Sequence, residues 1–154
     1  MHDVTIILLA AAPISELRGA LVLALGPYHF SVARALLDAY IGNALPILPL
    51  LFGLNAMTEW VTAHSPLIHR WFERFFARTR HHLQGHYEKY GAAALFLWVA
   101  LTVPPTGVWS ACVAAVLFGV RPKVAVPAIL GGMIISGIVV TAITKGLIAG
   151  INSV

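Results

Sequence analysis

The chain has 154 residues, a hydrophobic fraction of 59%, only 10% charged residues and a formal net charge of +4, with a mean hydropathy of +0.85. That balance excludes an ordinary soluble domain. The positive charge is gathered at Arg70, Arg74, Arg78, Arg80 and Lys89, with Arg121 and Lys123 further on, which reads as membrane topology rather than nucleic-acid binding.

Residues 39–58, 91–120 and 124–144 carry no charge, and each is long enough for the roughly 20 helical residues that cross a hydrocarbon core. The chain is therefore expected to be an all-α, polytopic integral membrane protein. Residues 4–12 and 15–25 are each about half the spanning length, and Pro13 separates them by ending the first helix. They are expected to form a re-entrant hairpin, with Ser15 capping the second arm and Glu16 and Arg18 in its first turn. A secretory signal is the rival account of 4–12, but His2 and Asp3 provide no basic leading region.

Gly26-Pro27 punctuates the chain, and residues 30–54 read as one full span interrupted by Gly42-Asn43, Pro46 and Pro49. Arg34 and Asp38, one turn apart near its start, are expected to pair with each other. Residues 55–90 differ in kind. Within 67–80, Ile68, Trp71, Phe72, Phe75 and Phe76 fall at helical spacing, while Arg70, Arg74 and Arg78 repeat every four residues on another face. That predicts an amphipathic helix lying along the cytoplasmic interface.

The earlier grammar then returns. Residues 91–103 form a short apolar run, Pro104-Pro105 break it, Thr106 is placed to cap, and 107–118 continue to Gly119. Residues 124–149 make a second full span, with Lys145 close enough to its end to snorkel. A shift of 93 residues lays Gly26 on Gly119, Gly53-Leu54 on Gly146-Leu147, and Pro13 on Thr106. The expected organisation is one membrane domain over 1–154. Repeat 1 comprises hairpin 4–25 and span 30–54, repeat 2 comprises hairpin 91–118 and span 124–149 within 91–150, and the interfacial helix lies between them. Counting crossings makes the repeats inverted, puts both termini outside, and brings the hairpin breaks together near the midplane from opposite sides.

Charged groups at such depth are functional-site candidates. Glu16 can take up and release a proton, and Arg18 beside half-helix N-termini suits phosphate or carboxylate; a purely structural Glu16–Arg18 lock is the competing account. Thr106, Trp109 and Ser110 offer hydroxyls and an aromatic wall across the chamber, with packing as the alternative. Asn43 needs a polar partner at membrane depth and is expected to bridge to hairpin backbone.

His82 and His86 at helical spacing, with His81 and Glu88 nearby, lack the ligands that would complete a metal site. No nucleophile–base arrangement and no phosphate loop are present, so neither an enzyme nor a cofactor is expected. Cys112 is the only cysteine and decides nothing about compartment.

Pro13-Ile-Ser-Glu-Leu-Arg-Gly-Ala20, Gly42-Asn43 followed by Pro46, and Pro105-Thr-Gly-Val-Trp-Ser110 resemble the signature segments of the small multi-drug export protein family, a distant relative of the DedA/VTT membrane proteins. The resemblance covers most of 10–55 and 100–147. It implies two re-entrant hairpins in inverted arrangement, and its DedA relatives are associated with proton-linked export and with moving lipid carriers such as polyprenyl phosphates. Residues 91–120 depart from DedA-like proteins, which carry arginines around the second hairpin.

The combined expectation is a secondary transporter or flippase of a bacterial or archaeal plasma membrane, moving an amphipathic or anionic substrate, proton-linked, in contact with membrane lipid and assembled as a homodimer or larger. A cationic multidrug exporter and a non-transporting membrane scaffold are the alternatives.

Overall fold

The computed structural model describes residues 2–64, 87–101 and 107–151. The amphipathic helix expected over 67–80 lies outside the described residues, as do Pro104, Pro105 and Thr106. Among the described residues the fold is entirely helical: α1 His2–Ala11, α2 Glu16–Leu25, α3 Val32–Ala44, α4 Ile47–His64, α5 Tyr87–Ala100, α6 Val108–Leu117 and α7 Pro122–Ile151.

The first apolar stretch breaks where Pro13 dictates, and α1 and α2 pack against each other across the four-residue break. The expected span 30–54 corresponds to the stretch Val32–Thr58 and is divided into two helices. Pro46 has no N–H to continue α3, so the helix stops at Ala44 and restarts at Ile47. Pro49 is then tolerated in the first turn of α4, where backbone N–H groups have no intrahelical partner in any case. α4 runs to His64, ten residues past the expected end at 54.

Val32–Thr58 and α7 are the two described stretches long and apolar enough to cross a membrane. At 1.5 Å per residue, the 30 residues of α7 extend roughly 45 Å. Pro127 inside it deprives the Lys123 carbonyl of its helical donor without ending the helix, as transmembrane helices permit.

Helix pairing follows a reciprocal pattern. The first arm of each broken segment lies on the long helix that follows it, α1 on α3 and α5 on α7. The second arms cross over, α2 packing on α7 as well as α3, and α6 packing chiefly on α4. Both first-arm contacts use a glycine. A side chain on Gly42 would strike the Ile7 carbonyl of α1, and one on Gly132 would come within 2.5 Å of the Phe96 carbonyl of α5. The core is correspondingly rich in small residues, with Ala10, Ala20, Ala24, Ala35, Ala39, Ala111, Ala115 and Ala125 all buried, as close helix approach in lipid requires.

α6 ends in a Schellman motif. Gly119 takes a positive φ of 65°, its N–H donates to Val116, and the Val120 N–H reaches back to Ala115. The side chains facing outward from the long helices are apolar, among them Leu37, Ile41, Phe52, Ile138, Ile143 and Leu147.

Candidate functional site

Four helix ends converge where the broken segments meet: the end of α1, the start of α2, the end of α5 and the start of α6. Each brings backbone groups that have no intrahelical partner. The side chains singled out from the sequence, where described, satisfy them.

Glu16 opens α2 with a positive φ of 46°. For a residue with a β-carbon that backbone region costs about 1–2 kcal/mol, and the surrounding contacts hold it there. The strained turn delivers the Glu16 carboxylate to the first turn of α6. Its oxygens lie directly over Gly107, where any β-carbon would collide with them, and the Trp109 backbone N–H donates to it. A carboxylate at a helix N-terminus is favoured both by the free N–H groups and by the helix dipole. Gly107 has φ −170°, which any residue adopts, so glycine is required there for space alone.

Arg18, two residues along α2, donates from Nη2 to the Leu101 carbonyl at the end of α5, 3.0 Å away. The Trp109 indole answers from the other side: Nε1–H donates to the Ala11 carbonyl at the end of α1, 3.2 Å away. Cationic and N–H donors thus meet helix C-termini, and the anion meets an N-terminus, which is the sense the helix dipoles demand. Glu16 and Arg18 also attract each other electrostatically.

Ser15 departs from expectation. It occupies the N-cap position of α2 without a side-chain cap, because its hydroxyl instead donates to the Leu9 carbonyl, closing the end of α1. Ser110 serves the start of α6: the Gly107 N–H donates to its Oγ at 3.1 Å, its hydroxyl donates to the Gly107 carbonyl at 3.0 Å, and Trp98 Nε1–H donates to it at 3.0 Å.

Asn43 sits elsewhere, buried to 2% exposure beside Gly42 at the α1–α3 contact, and its side-chain oxygen has no hydrogen-bond partner. The expected bridge from that oxygen to hairpin backbone is therefore not formed; Gly42 brings the α1 backbone close, but the N–H groups of α1 that could donate to it are spent within its own helix. Glu16, Arg18, Trp109, Ser15 and Ser110 come together, then, while Asn43 stands apart.

Two features escaped the sequence. The receiving groups at the junction are backbone carbonyls of Ala11 and Leu101 and the N-terminus of α6, which carry no residue signature. At the other end of α1, Arg34 pairs with Asp3, with Nη2 2.5 Å and Nε 2.6 Å from Oδ1, and not with Asp38 as expected. The reason is reach: α1 lies on α3 and sets Asp3 against Arg34, whose guanidinium is also held 4.6 Å from the Phe30 ring centroid. Asp38 is buried instead. Arg34 holds the half-buried Asp3 carboxyl below the usual carboxylate range.

Among the described residues no group of three metal-ligating side chains gathers. The family described as "Putative small multi-drug export protein" matches residues 16–139, a stretch that begins at Glu16 just after the first break, takes in the second break and ends within α7. No curated protein and no solved structure matches the chain.

Proposed function

The chain belongs to the small multi-drug export protein family, and from that premise we propose that it is a membrane transporter whose anion site is the first turn of α6, occupied in this state by its own Glu16 carboxylate. The observation that carries the reading is the placement of that carboxylate over Gly107 with the Trp109 N–H donating to it. A helix N-terminus with an arginine beside it is a ready receptor for a phosphate or carboxylate headgroup. While Glu16 is ionised it fills the receptor. Protonation removes its charge, weakens its hold on the α6 N-terminus, and leaves that end with Arg18 for an anionic, amphipathic substrate such as a lipid phosphate.

Proton uptake and substrate entry are coupled by competition for one set of N–H groups. Release runs in reverse, as Glu16 gives up its proton and displaces the headgroup. Inverted repeats of re-entrant hairpins fit this scheme, and the reciprocal pairing of α1 with α3 and α5 with α7, with second arms exchanged, supports them. On this reading both termini and the interfacial segment keep the sidedness argued from the basic residues. Ile14, at the tip of the first break, is 98% exposed, which suits a homodimer or larger assembly in which a second copy covers the tip.

The test uses protein in vesicles carrying a fluorescently labelled long-chain alkyl phosphate, with and without a pH gradient. Wild-type protein should move the probe between leaflets faster when the gradient is present. Glu16→Gln should abolish the gradient dependence, and Arg18→Met should abolish movement of the anion. Gradient-driven movement that survives Glu16→Gln would overturn the scheme. Movement of a lipophilic cationic dye that needs Glu16 but not Arg18 would assign the chain to cationic drug export instead.

A further inference from the structure

We propose that the groove between α5 and the start of α7 binds one anionic phospholipid, its phosphate on Lys123 and the first part of an acyl chain between the two helices. The site is separate from the junction and does not rest on the transport reading.

The groove has a volume of about 470 Å³, and its lining includes Ala92, Ala93 and Phe96 of α5 with Lys123, Pro127 and Ala128 of α7. Apart from the lysine its walls are apolar. The small side chains leave it open along its length, and the Phe96 ring, packed against Gly131, closes the inner end.

Its depth in the membrane follows from α7. Lys123 and Lys145, both exposed, are separated by roughly 33 Å of helix at 1.5 Å per residue, against a hydrocarbon core of about 30 Å. Each lysine thus stands at a headgroup level, and the groove runs inward from Lys123 into the acyl region.

The first helix pair shows what the groove lacks. α1 on α3 and α5 on α7 make the same contact, a glycine of the long helix against a carbonyl of the short one: Gly42 on Ile7, and Gly132 on Phe96. Counted back from those contacts, Asp3 lies four residues before Ile7 and Ala92 four before Phe96, while Arg34 lies eight before Gly42 and Lys123 nine before Gly132. In the first pair cation and acid meet, Arg34 on Asp3. In the second the cation is kept, and the position of the acid is taken by an alanine that lines the groove. Among the described residues Lys123 has no ion pair. The partner that Asp3 supplies from within the first pair is left, in the second, to a molecule outside the chain.

The charge at this end selects an anion. Arg121 precedes Lys123, the Glu88 and Lys89 charges in the first turn of α5 offset each other, and the amino end of α7 adds the positive end of its dipole. A phospholipid suits both parts of the site, offering a phosphate to the ammonium and a chain to the apolar walls. A free inorganic anion would leave those walls bare.

Electron paramagnetic resonance tests the proposal on the full chain in phosphatidylcholine vesicles carrying a trace of spin-labelled phosphatidylglycerol or spin-labelled phosphatidylcholine. In the motionally restricted fraction, wild-type protein should favour the phosphatidylglycerol label about fivefold, the effect of one basic residue at a membrane surface. Lys123→Gln should remove most of that preference. Ala93→Leu, which fills the groove and leaves every charge in place, should do the same, and Ala92→Asp should displace the lipid by restoring the internal partner of the first pair. Lys145→Gln and Arg18→Met should leave the preference unchanged, and an excess of inorganic phosphate should not displace the label. A preference that survives Lys123→Gln or Ala93→Leu would overturn the proposal. So would an equal loss in Lys145→Gln, which would reduce the effect to surface charge, a loss in Arg18→Met alone, which would move the lipid to the junction, or displacement by phosphate, which would make the ligand a free anion. Because the label is bound and not moved, and Arg18 serves as a control, the proposed transport scheme can fail while this site stands, and the reverse.

Discussion

The two broken segments perform the same structural task with different chemistry. The α1–α2 segment turns within four residues, places a glutamate in a left-handed conformation, and sends out two charged side chains. The α5–α6 segment has no charge over residues 91–120 and answers with backbone ends, one indole and one serine hydroxyl. Each segment completes the other's unsatisfied helix termini. Two broken segments can thus complete each other without matching residues: a carboxylate and an arginine on one side are complementary to helix ends on the other, and it is the dipoles, not the side chains, that both segments share.

The sharpest way to break this asymmetry is at Gly107. A methyl group there would occupy the position of the Glu16 carboxylate while the extended backbone accepts alanine without strain. Gly107→Ala is expected to expel Glu16 and forfeit a hydrogen bond to a charged group, about 1.5–3 kcal/mol, and to abolish vesicle transport. Thermal unfolding in detergent measures the first effect. Combining it with Glu16→Ala should cost no more than Glu16→Ala alone, since the two changes remove one interaction; additive losses would mean that Gly107 serves something other than Glu16.

Gly42→Ala addresses the contact that fixes α1 on α3. Its methyl would meet the Ile7 carbonyl and the Ala10 methyl, and because backbone rather than a flexible side chain must yield, overpacking of about 1–3 kcal/mol is expected. Gly132→Ala should behave alike, since it meets the Phe96 carbonyl in the same relation. Similar destabilisation by the two would support the equivalence of the repeats, whereas tolerance of one and not the other would break it.

Trp109→Phe keeps the ring and removes the N–H that serves Ala11. A loss near 1 kcal/mol is expected, together with faster hydrogen exchange at the end of α1. Exchange changes confined to α6 would place the indole's role within its own segment.

Much of this was legible in advance because it is written in helix punctuation. Pro13 ended α1 where the sequence placed the break, and the uncharged run from 124 onward became α7. Pro46 was read as an interruption within a span, and its missing N–H divides the stretch Val32–Thr58 into α3 and α4. The site was half legible. Glu16, Arg18 and Trp109 stood out as costly or amphipathic groups in apolar sequence, yet their receivers are carbonyls and a glycine, which any sequence contains. Ser15 looked like a cap because serine favours that position, but the strained turn at Glu16 points its hydroxyl back to Leu9. Arg34 was matched to Asp38 by helical spacing alone, and tertiary packing of α1 supplied a better-placed carboxylate.

That last substitution of partners yields the smallest expected effect. Arg34 is exposed and Asp3 partly so, so water and salt screen their attraction. Arg34 holds the Asp3 carboxyl below its ordinary range chiefly by hydrogen bonding. A carboxyl depressed in the folded state stabilises the fold above its unfolded value, and that contribution fades as pH falls through the folded one. The Asp3 share should therefore vanish only on the acid side of the usual aspartate range, about 3.9, and should weaken as salt rises. Arg34→Gln should erase this acid-limb dependence while leaving the neutral-pH melting temperature nearly unchanged. If instead Arg34→Gln produces a large loss at neutral pH, the pair is fastening α1 as firmly as the junction does, and the contrast between a screened outer contact and a hydrogen-bonded central one would not hold.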